Sequence, residues 1–351
     1  MDGLRTPITV VDRARLARNI AWAQRVANGR GAQLRPHVKT HKCVEIAHQQ
    51  MEAGAVGISV ATIGEAECFA AASLTDIFIA YPLWVTRTAA LRLRRLTDRC
   101  RLTIGVDSIR SAQRIGRTLG GSGLHVLVEI DCGQHRTGCL PPEAAGVAEA
   151  LLGAGDVEVD GVFTFPGHSY APGARARAAG DEAEALVAAA EGLEAVGIPA
   201  PVRSGGSTPS LAYGDARLTQ FRPGVYVFGD AQQWELGACT PDDIALTVHS
   251  RVVSVRGSRI ALDAGSKALG ADRAPWATGY GRLLDHPQAR IELIAEHHAI
   301  VELHGGPVPA VGDVVRVVPN HCCNAVNLVE ELAVDEPCGP RWRVAARGAN
   351  D

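Results

Sequence analysis

Six segments concentrate the side chains that could do chemistry. The densest is Arg35-Pro36-His37-Val38-Lys39-Thr40-His41-Lys42, with two lysines, two histidines and an arginine in eight residues. If it continues as a strand, alternation puts His37, Lys39 and His41 on one face. A lysine among other cations has its amine pKa lowered and can act as a Schiff-base nucleophile; the same residues would also suit a solvated basic strand end. Ser204-Gly205-Gly206-Ser207-Thr208 and Arg222-Pro223-Gly224-Val225 are turns whose backbone N–H groups suit an anion such as phosphate. Asp131-Cys132-Gly133-Gln134-His135-Arg136-Thr137-Gly138 offers Arg136 to a carboxylate or phenolate, or simply to water. Pro166-Gly167-His168-Ser169-Tyr170 offers His168 and Tyr170 as proton carriers. The last segment, Pro319-Asn320-His321-Cys322-Cys323-Asn324, carries a His-x-Cys spacing that on an extended chain points imidazole and thiolate the same way. That pair suits a borderline-soft divalent cation such as Zn2+, with further positions left for water and substrate.

These segments sit at the ends of recurring apolar runs. Leu34–Lys39, Val56–Ala61, Asp76–Leu83, Leu102–Asp107, His125–Asp131, Val159–Phe165, Val202–Ser207 and Tyr226–Gly229 read as strands. Between them, Val44–Ala53, Ile63–Ala72, Thr86–Arg95, Ile109–Leu119, Pro142–Leu152 and Asp181–Val196 have helical spacing, several opened by Ser, Thr, Asp or Pro. Eight strands with crossover helices predict an α/β fold, a (β/α)8 TIM barrel, with a doubly wound open sheet as the alternative. In such a barrel the residues just after each strand gather at one face, and the loops after the seventh and eighth strands hold phosphate. Beyond about Gly237 the long helices stop, and Ile244–Val255, Arg259–Leu262, Ala299–Leu303 and Val314–Val318 read as strands of a smaller β domain. The expected division is 1–236 and 237–351, with the N-terminal strand free to join either part.

The chain has 351 residues, enough for about two domains that bury a core without staples. With 46% hydrophobic and 21% charged residues it is not a disordered or collagen-like sequence. Thirty-five Lys and Arg against 38 Asp and Glu, a net charge of -3, provide no field for nucleic acid or an anionic membrane, so a small-molecule partner is expected. Nine cysteines, an odd number, and an N-terminus without a signal-peptide pattern point to the cytoplasm.

As a set, Lys39 after the first barrel strand, Asp131-x-Gly133-x-x-Arg136-x-Gly138, the Ser204–Thr208 loop and Arg222-Pro223-Gly224 resemble the fold-type III pyridoxal-phosphate enzymes, the alanine racemase-like barrels followed by a β domain. Within these, Arg35-Pro36-His37-x-Lys39-Thr40-His41-Lys42 together with Pro319-Asn320-His321-x-Cys323 resembles the D-threonine aldolase and D-serine dehydratase family, and the resemblance runs from about Thr6 to Leu328. It implies that Lys39 is the Schiff-base lysine and that Arg136 lies near the phenolic oxygen of pyridoxal 5'-phosphate. Ser204, Gly206, Thr208, Gly224 and Val225 match the phosphate loops, and Arg222 falls where racemases contact the pyridine nitrogen. His321 and Cys323 match the metal pair, for Zn2+ first and Mn2+ or Mg2+ otherwise. Cysteine rather than aspartate at the second position leans toward β-elimination, from D-serine or D-threonine to a 2-oxo acid and ammonia, over retro-aldol cleavage to glycine and an aldehyde. Phe165 departs from the pattern where relatives carry a cofactor-facing tyrosine, leaving Tyr170 or His168 to compensate. A racemase would need a β-domain tyrosine, for which Tyr280 is the sole candidate, and a non-catalytic cofactor carrier would not need the β domain. A head-to-tail homodimer is also implied.

Overall fold

The structure, a computed structural model, describes residues 4–351. The first strand, β1 (Ile8–Val11), belongs to an antiparallel sheet described below. The next eight form a parallel sheet: β2 (Gln33–Leu34), β3 (Ile58–Val60), β4 (Asp76–Pro82), β5 (Arg101–Val106), β6 (His125–Glu129), β7 (Glu158–Phe163), β8 (Val202–Gly205) and β9 (Gln220–Phe221). Their order is β2-β9-β8-β7-β6-β5-β4-β3, and a parallel bridge from His37 to Ser59 joins the two ends into a closed barrel. The strands are nearly unbroken apolar runs because both faces are covered: Ile77, Phe78 and Ile79, and Leu102 and Ile104, are all buried. Thr62 and Thr86 start two crossover helices, Ile63–Ala71 and Arg87–Thr97, each hydroxyl accepting the N–H three residues on. A Cβ at residue 105 would lie 2.6 Å from the Phe163 ring, so Gly105 lets that ring approach β5. Phe163 in turn meets Phe78 edge-to-face with centroids 5.0 Å apart.

Two local expectations change. The eighth barrel strand is Gln220–Phe221, whereas Val225–Val227 forms a single 3-10 turn. Pro223, which has no N–H to donate, ends the ladder there, so Arg222-Pro223-Gly224 follows the eighth strand instead of preceding it. Likewise β2 stops at Leu34 and Val38–Thr40 is a 3-10 turn. The His37 N–H still reaches the Pro223 carbonyl, after which the chain turns toward the helix Val44–Glu52. Strand alternation therefore does not order Lys39 and His41: Lys39 is exposed and His41 is fully buried.

The remaining strands are β10 (Leu246–Arg256), β11 (Arg259–Leu262), β12 (Gly281–Leu283), β13 (Arg290–Ile294), β14 (Ala299–Glu302), β15 (Val314–Pro319), β16 (Glu331–Val334) and β17 (Arg341–Arg343). They run β11-β14-β13-β12-β15-β10-β1-β16-β17, with β10 also pairing β11, which closes the first six into a small antiparallel barrel. Its core includes Val248, Ile260, Ile291, Val301 and Val317. β1 pairs antiparallel with β10, Ile8 opposite His249, and parallel with β16. The chain forms two compact units: one contains the N-terminal segment to Trp22, Thr40–Gln49 and Val225–Gly348, the other Ala23–Lys39, Gln50–Gly224 and Ala349–Asp351. Among the described residues no helix is long and apolar enough to cross a membrane.

Candidate functional site

In the barrel unit the cations collect around aromatic rings. The Lys39 Nζ lies 6.0 Å from the centroid of Phe165, and the Arg136 guanidinium 5.2 Å from the same ring. Tyr170 stands 6.2 Å from Phe165, centroid to centroid. Phe165 thus joins three of the residues singled out by type and spacing. Lys39 makes no ion pair among the described residues, so its ammonium is not locked to a carboxylate.

Arg222 is a buried cation. Its guanidinium lies 5.4 and 5.3 Å from the Phe78 and Phe163 rings, and donates to the Ser204 hydroxyl and the Thr164 carbonyl, both at 2.6 Å. Its Nε has no partner. Burial pulls its pKa down to about 10, against the pull of Glu182 and Glu129, which leaves it charged at neutral pH. Burial also pushes Glu129, at the end of β6, up to about 7, partly offset by the Thr137 hydroxyl and by Arg136; one of its oxygens has no partner. Ser204, read as part of a phosphate loop, spends its hydroxyl on Arg222 and on Gln220 at 2.8 Å. The Gly206 N–H is likewise taken, by the carboxylate of Glu182 at 2.6 Å. Thr208 is buried, and the N–H groups of Gly224 and Val225 have no acceptor among the described residues. Two successive open donors past the eighth strand, and the orphaned Arg222 Nε, fit a phosphorylated pyridine cofactor.

His168 lies in a 3-10 turn, Gly167–Tyr170, with Nε2 3.1 Å from Asp181 and Nδ1 buried without a partner. A His–Asp pair of this kind orients an imidazole whose other nitrogen can take or give a proton. The Arg136 loop is braced by Asp131, which accepts the N–H groups of Gly133 and His135; burial alone would raise that carboxyl, and these bonds hold it below its usual range.

The second cluster lies in the β unit. His321 precedes a short helix, Cys322–Asn327, so Cys323 sits in a first helical turn and not on the extended segment expected from the spacing. The turn still brings the two side chains within hydrogen-bond reach. Cys323 Sγ is 3.3 Å from the Thr40 hydroxyl, and His321 Nδ1 is 2.5 Å from Asp272. The Cys322 thiol and the positive His321 drive Cys323 toward thiolate despite burial. Burial would lower His321, but the Cys323 charge and the Asp272 bond outweigh it and push it up. With Asp272 on Nδ1, Nε2 is the ring nitrogen that a cation could take, the carboxylate–histidine arrangement common at metal centres. Imidazole and thiolate fit Zn2+ as donors. No third His, Cys, Asp or Glu completes the group among the described residues, so a cation here would rest on two protein ligands. Asp230, fully buried, accepts the Cys322 N–H at 3.2 Å and fixes the turn. Tyr280 packs against the β core beneath Arg273, with the guanidinium 5.0 Å from its ring.

Glu129, Asp181, Glu182, Asp230 and Asp272 were not legible as site residues, because Thr137, His168, Gly206, Cys322 and His321, their respective partners here, lie between 8 and 92 residues away in no distinctive spacing.

Comparison with known proteins places this geometry. Residues 11–232 match the family described as "Alanine racemase, N-terminal domain", and residues 245–334 that described as "Putative serine dehydratase domain". D-threo-3-hydroxyaspartate dehydratase of Delftia sp. (strain HT23) is 37% identical over 91% of each chain, and its solved structure superposes with a TM-score of 0.88 over 97% of each. D-threonine aldolase of Arthrobacter sp. is 29% identical over 98% of this chain and 93% of its own. The chain belongs to the fold-type III, alanine racemase-like family, in the lyase branch that contains the D-threonine aldolases and D-serine dehydratases.

Proposed function

We propose that the protein is a pyridoxal-phosphate- and divalent-metal-dependent lyase that removes water from β-hydroxy D-amino acids, giving a 2-oxo acid and ammonia. D-serine, D-threonine and D-threo-3-hydroxyaspartate are the substrates to compare, the last because a 37%-identical relative is named for it. The observation that carries the reading is Cys323 beside His321: the thiolate and imidazole form a soft-donor pair held by Asp272 and Thr40. Lys39 would hold the cofactor, with Arg136 beside it, Arg222 in the barrel, and Thr208, Gly224 and Val225 at the phosphate. When bound, pyridoxal phosphate supplies a conjugated electron sink for the charge that develops at Cα. His321 and Cys323 would hold a divalent cation, Zn2+ by donor type, which would supply Lewis acidity toward the β-hydroxyl. The chain's own part is proton handling and positioning. The Lys39 amine takes the Cα proton, and the electron pair left behind expels the hydroxide at Cβ. The Phe165 ring lies 6.0 Å from that amine and gives it an aromatic neighbour in place of a counter-ion. His168, oriented by Asp181, is the second proton carrier. The resulting enamine hydrolyses to the 2-oxo acid and ammonia. A solved structure of a D-threo-3-hydroxyaspartate dehydratase is described as a cysteine-to-alanine mutant in the metal-free form, which supports metal binding in relatives of this chain. A cytoplasmic homodimer completes the reading, in keeping with nine free cysteines.

Retro-aldol cleavage is the second reading, favoured by the Arthrobacter relative. Product analysis separates the two: release of 2-oxo acid and ammonia, stopped by EDTA, supports dehydration, whereas glycine plus an aldehyde replaces it with aldol cleavage.

A further inference from the structure

The Ser204–Thr208 loop closes over a carboxyl from a neighbouring helix, where an anion site needs donors. Glu182, on the helix Arg175–Ala195, is fully buried. One of its oxygens accepts the Gly206 N–H at 2.6 Å, and the other is 3.3 Å from the Ser210 hydroxyl. Ser210 Oγ is 2.9 Å from Ser207 Oγ, which is 2.8 Å from Ser169 Oγ, so the carboxyl heads a buried row of three hydroxyls. The loop is shaped around it: a Cβ at residue 205 would fall 2.6 Å from the Glu182 carboxylate, and Gly206 has φ +87°.

We propose that Glu182 is a positioning residue of the phosphate loop, and that it binds a proton when a phosphate dianion occupies that loop. The inference rests on the reading that this loop receives the phosphate of the cofactor. An ionised carboxylate behind a dianion is repulsive, and a protonated carboxyl is not. As a carboxylate, Glu182 accepts from Ser210; as an acid it donates to Ser210, and the hydroxyl row can turn over without moving a heavy atom. Burial already pushes Glu182 up to about 7, offset by the Gly206 N–H, Arg222 and Ser210 and reinforced by Asp215. Besides Arg222 and Asp215, Cys132, after β6, also faces it. A phosphate adds negative charge and moves Glu182 further up, so above pH 7 loading takes up one proton.

The test compares affinity for pyridoxal phosphate with that for pyridoxal, in the full chain freed of cofactor, from pH 7 to 9. The ratio cancels effects at Lys39, which both compounds engage. In the wild type the preference for the phosphorylated compound falls with rising pH, by at most about tenfold per unit for one proton. Glu182→Gln keeps an acceptor for Gly206 and a donor for Ser210, and its preference stays flat over that range. Glu182→Ala loosens the loop and lowers the preference at pH 7 by about tenfold. If wild type and Glu182→Gln share one pH dependence, the inference is overturned while the loop reading survives. If the wild type does not distinguish the two compounds at any pH, the loop reading falls and the inference with it.

Discussion

The barrel mouth and the His321–Cys323 turn treat their charges in opposite ways. In the barrel, burial moves three of the groups around Arg222 toward neutrality: Glu129 and Glu182 rise to about 7 and Arg222 itself falls to about 10. In the β unit the two reactive groups reinforce each other, the thiolate of Cys323 raising His321 and the imidazolium lowering Cys323. The barrel is therefore a place where the protein's own negative charge can be discharged to admit an anionic cofactor. The β unit keeps a thiolate and an oriented imidazole, which a divalent cation can claim by displacing a proton. One fold thus carries two kinds of preorganisation.

The largest blow to the barrel side is Lys39→Ala. It should remove the near-visible cofactor absorbance and lower activity by at least about 10²–10⁴-fold, the usual contribution of a positioned proton carrier; an unchanged spectrum would remove Lys39 from the site. On the β side, Asp272→Asn loosens the His321 ring and should weaken metal affinity about 10–100-fold, read by competition with a chelator, with cofactor absorbance intact. Loss of absorbance in that variant would break the distinction between the two regions. Arg222→Ala leaves Glu129 and Glu182 uncompensated and should cost about 3–5 kcal/mol in denaturant unfolding; a cost below about 1 kcal/mol would show that Arg222 does not balance them. The smallest effect concerns pH. The folded-state pKa of Glu129 lies above its ordinary 4.5, so its stabilising share is complete below pH 4.5 and is lost as pH rises through about 7. Glu129→Gln should then raise the melting temperature at pH 8 by about 2–4 °C and change little at pH 5. Equal effects at both pH values would contradict burial as the cause.

Much of this was legible in the chain. Strand ends could be found from apolar runs, and chemistry follows strand ends in a parallel barrel, so Lys39, Arg136 and Arg222 stood out before any coordinates. The helix Ile109–Leu119 and the strand Arg259–Leu262 have the limits their patterns suggest. Gln220–Phe221 was missed as the eighth strand because two residues give no periodicity, and Tyr226–Gly229 drew attention with its apolar run. β12 and β16 escaped because three or four residues give no periodicity, and β13 and β17 because Arg290–Ile294 and Arg341–Arg343 also carry charge. The supporting carboxyls are silent in sequence: Asp272 is 49 residues from His321 and Glu182 is 24 from Gly206, separations that only the fold converts into contacts.

The central claim of the proposed function is that Lys39 removes the Cα proton and that loss of the hydroxyl depends on Cys323. The direct measurement is proton NMR on Cys323→Ala with a Cα-deuterated substrate, following deuterium washout and 2-oxo acid together. The account predicts that washout continues, through Lys39, while 2-oxo acid release is lost. Washout and elimination stopping together, or both continuing at the wild-type rate, would contradict it.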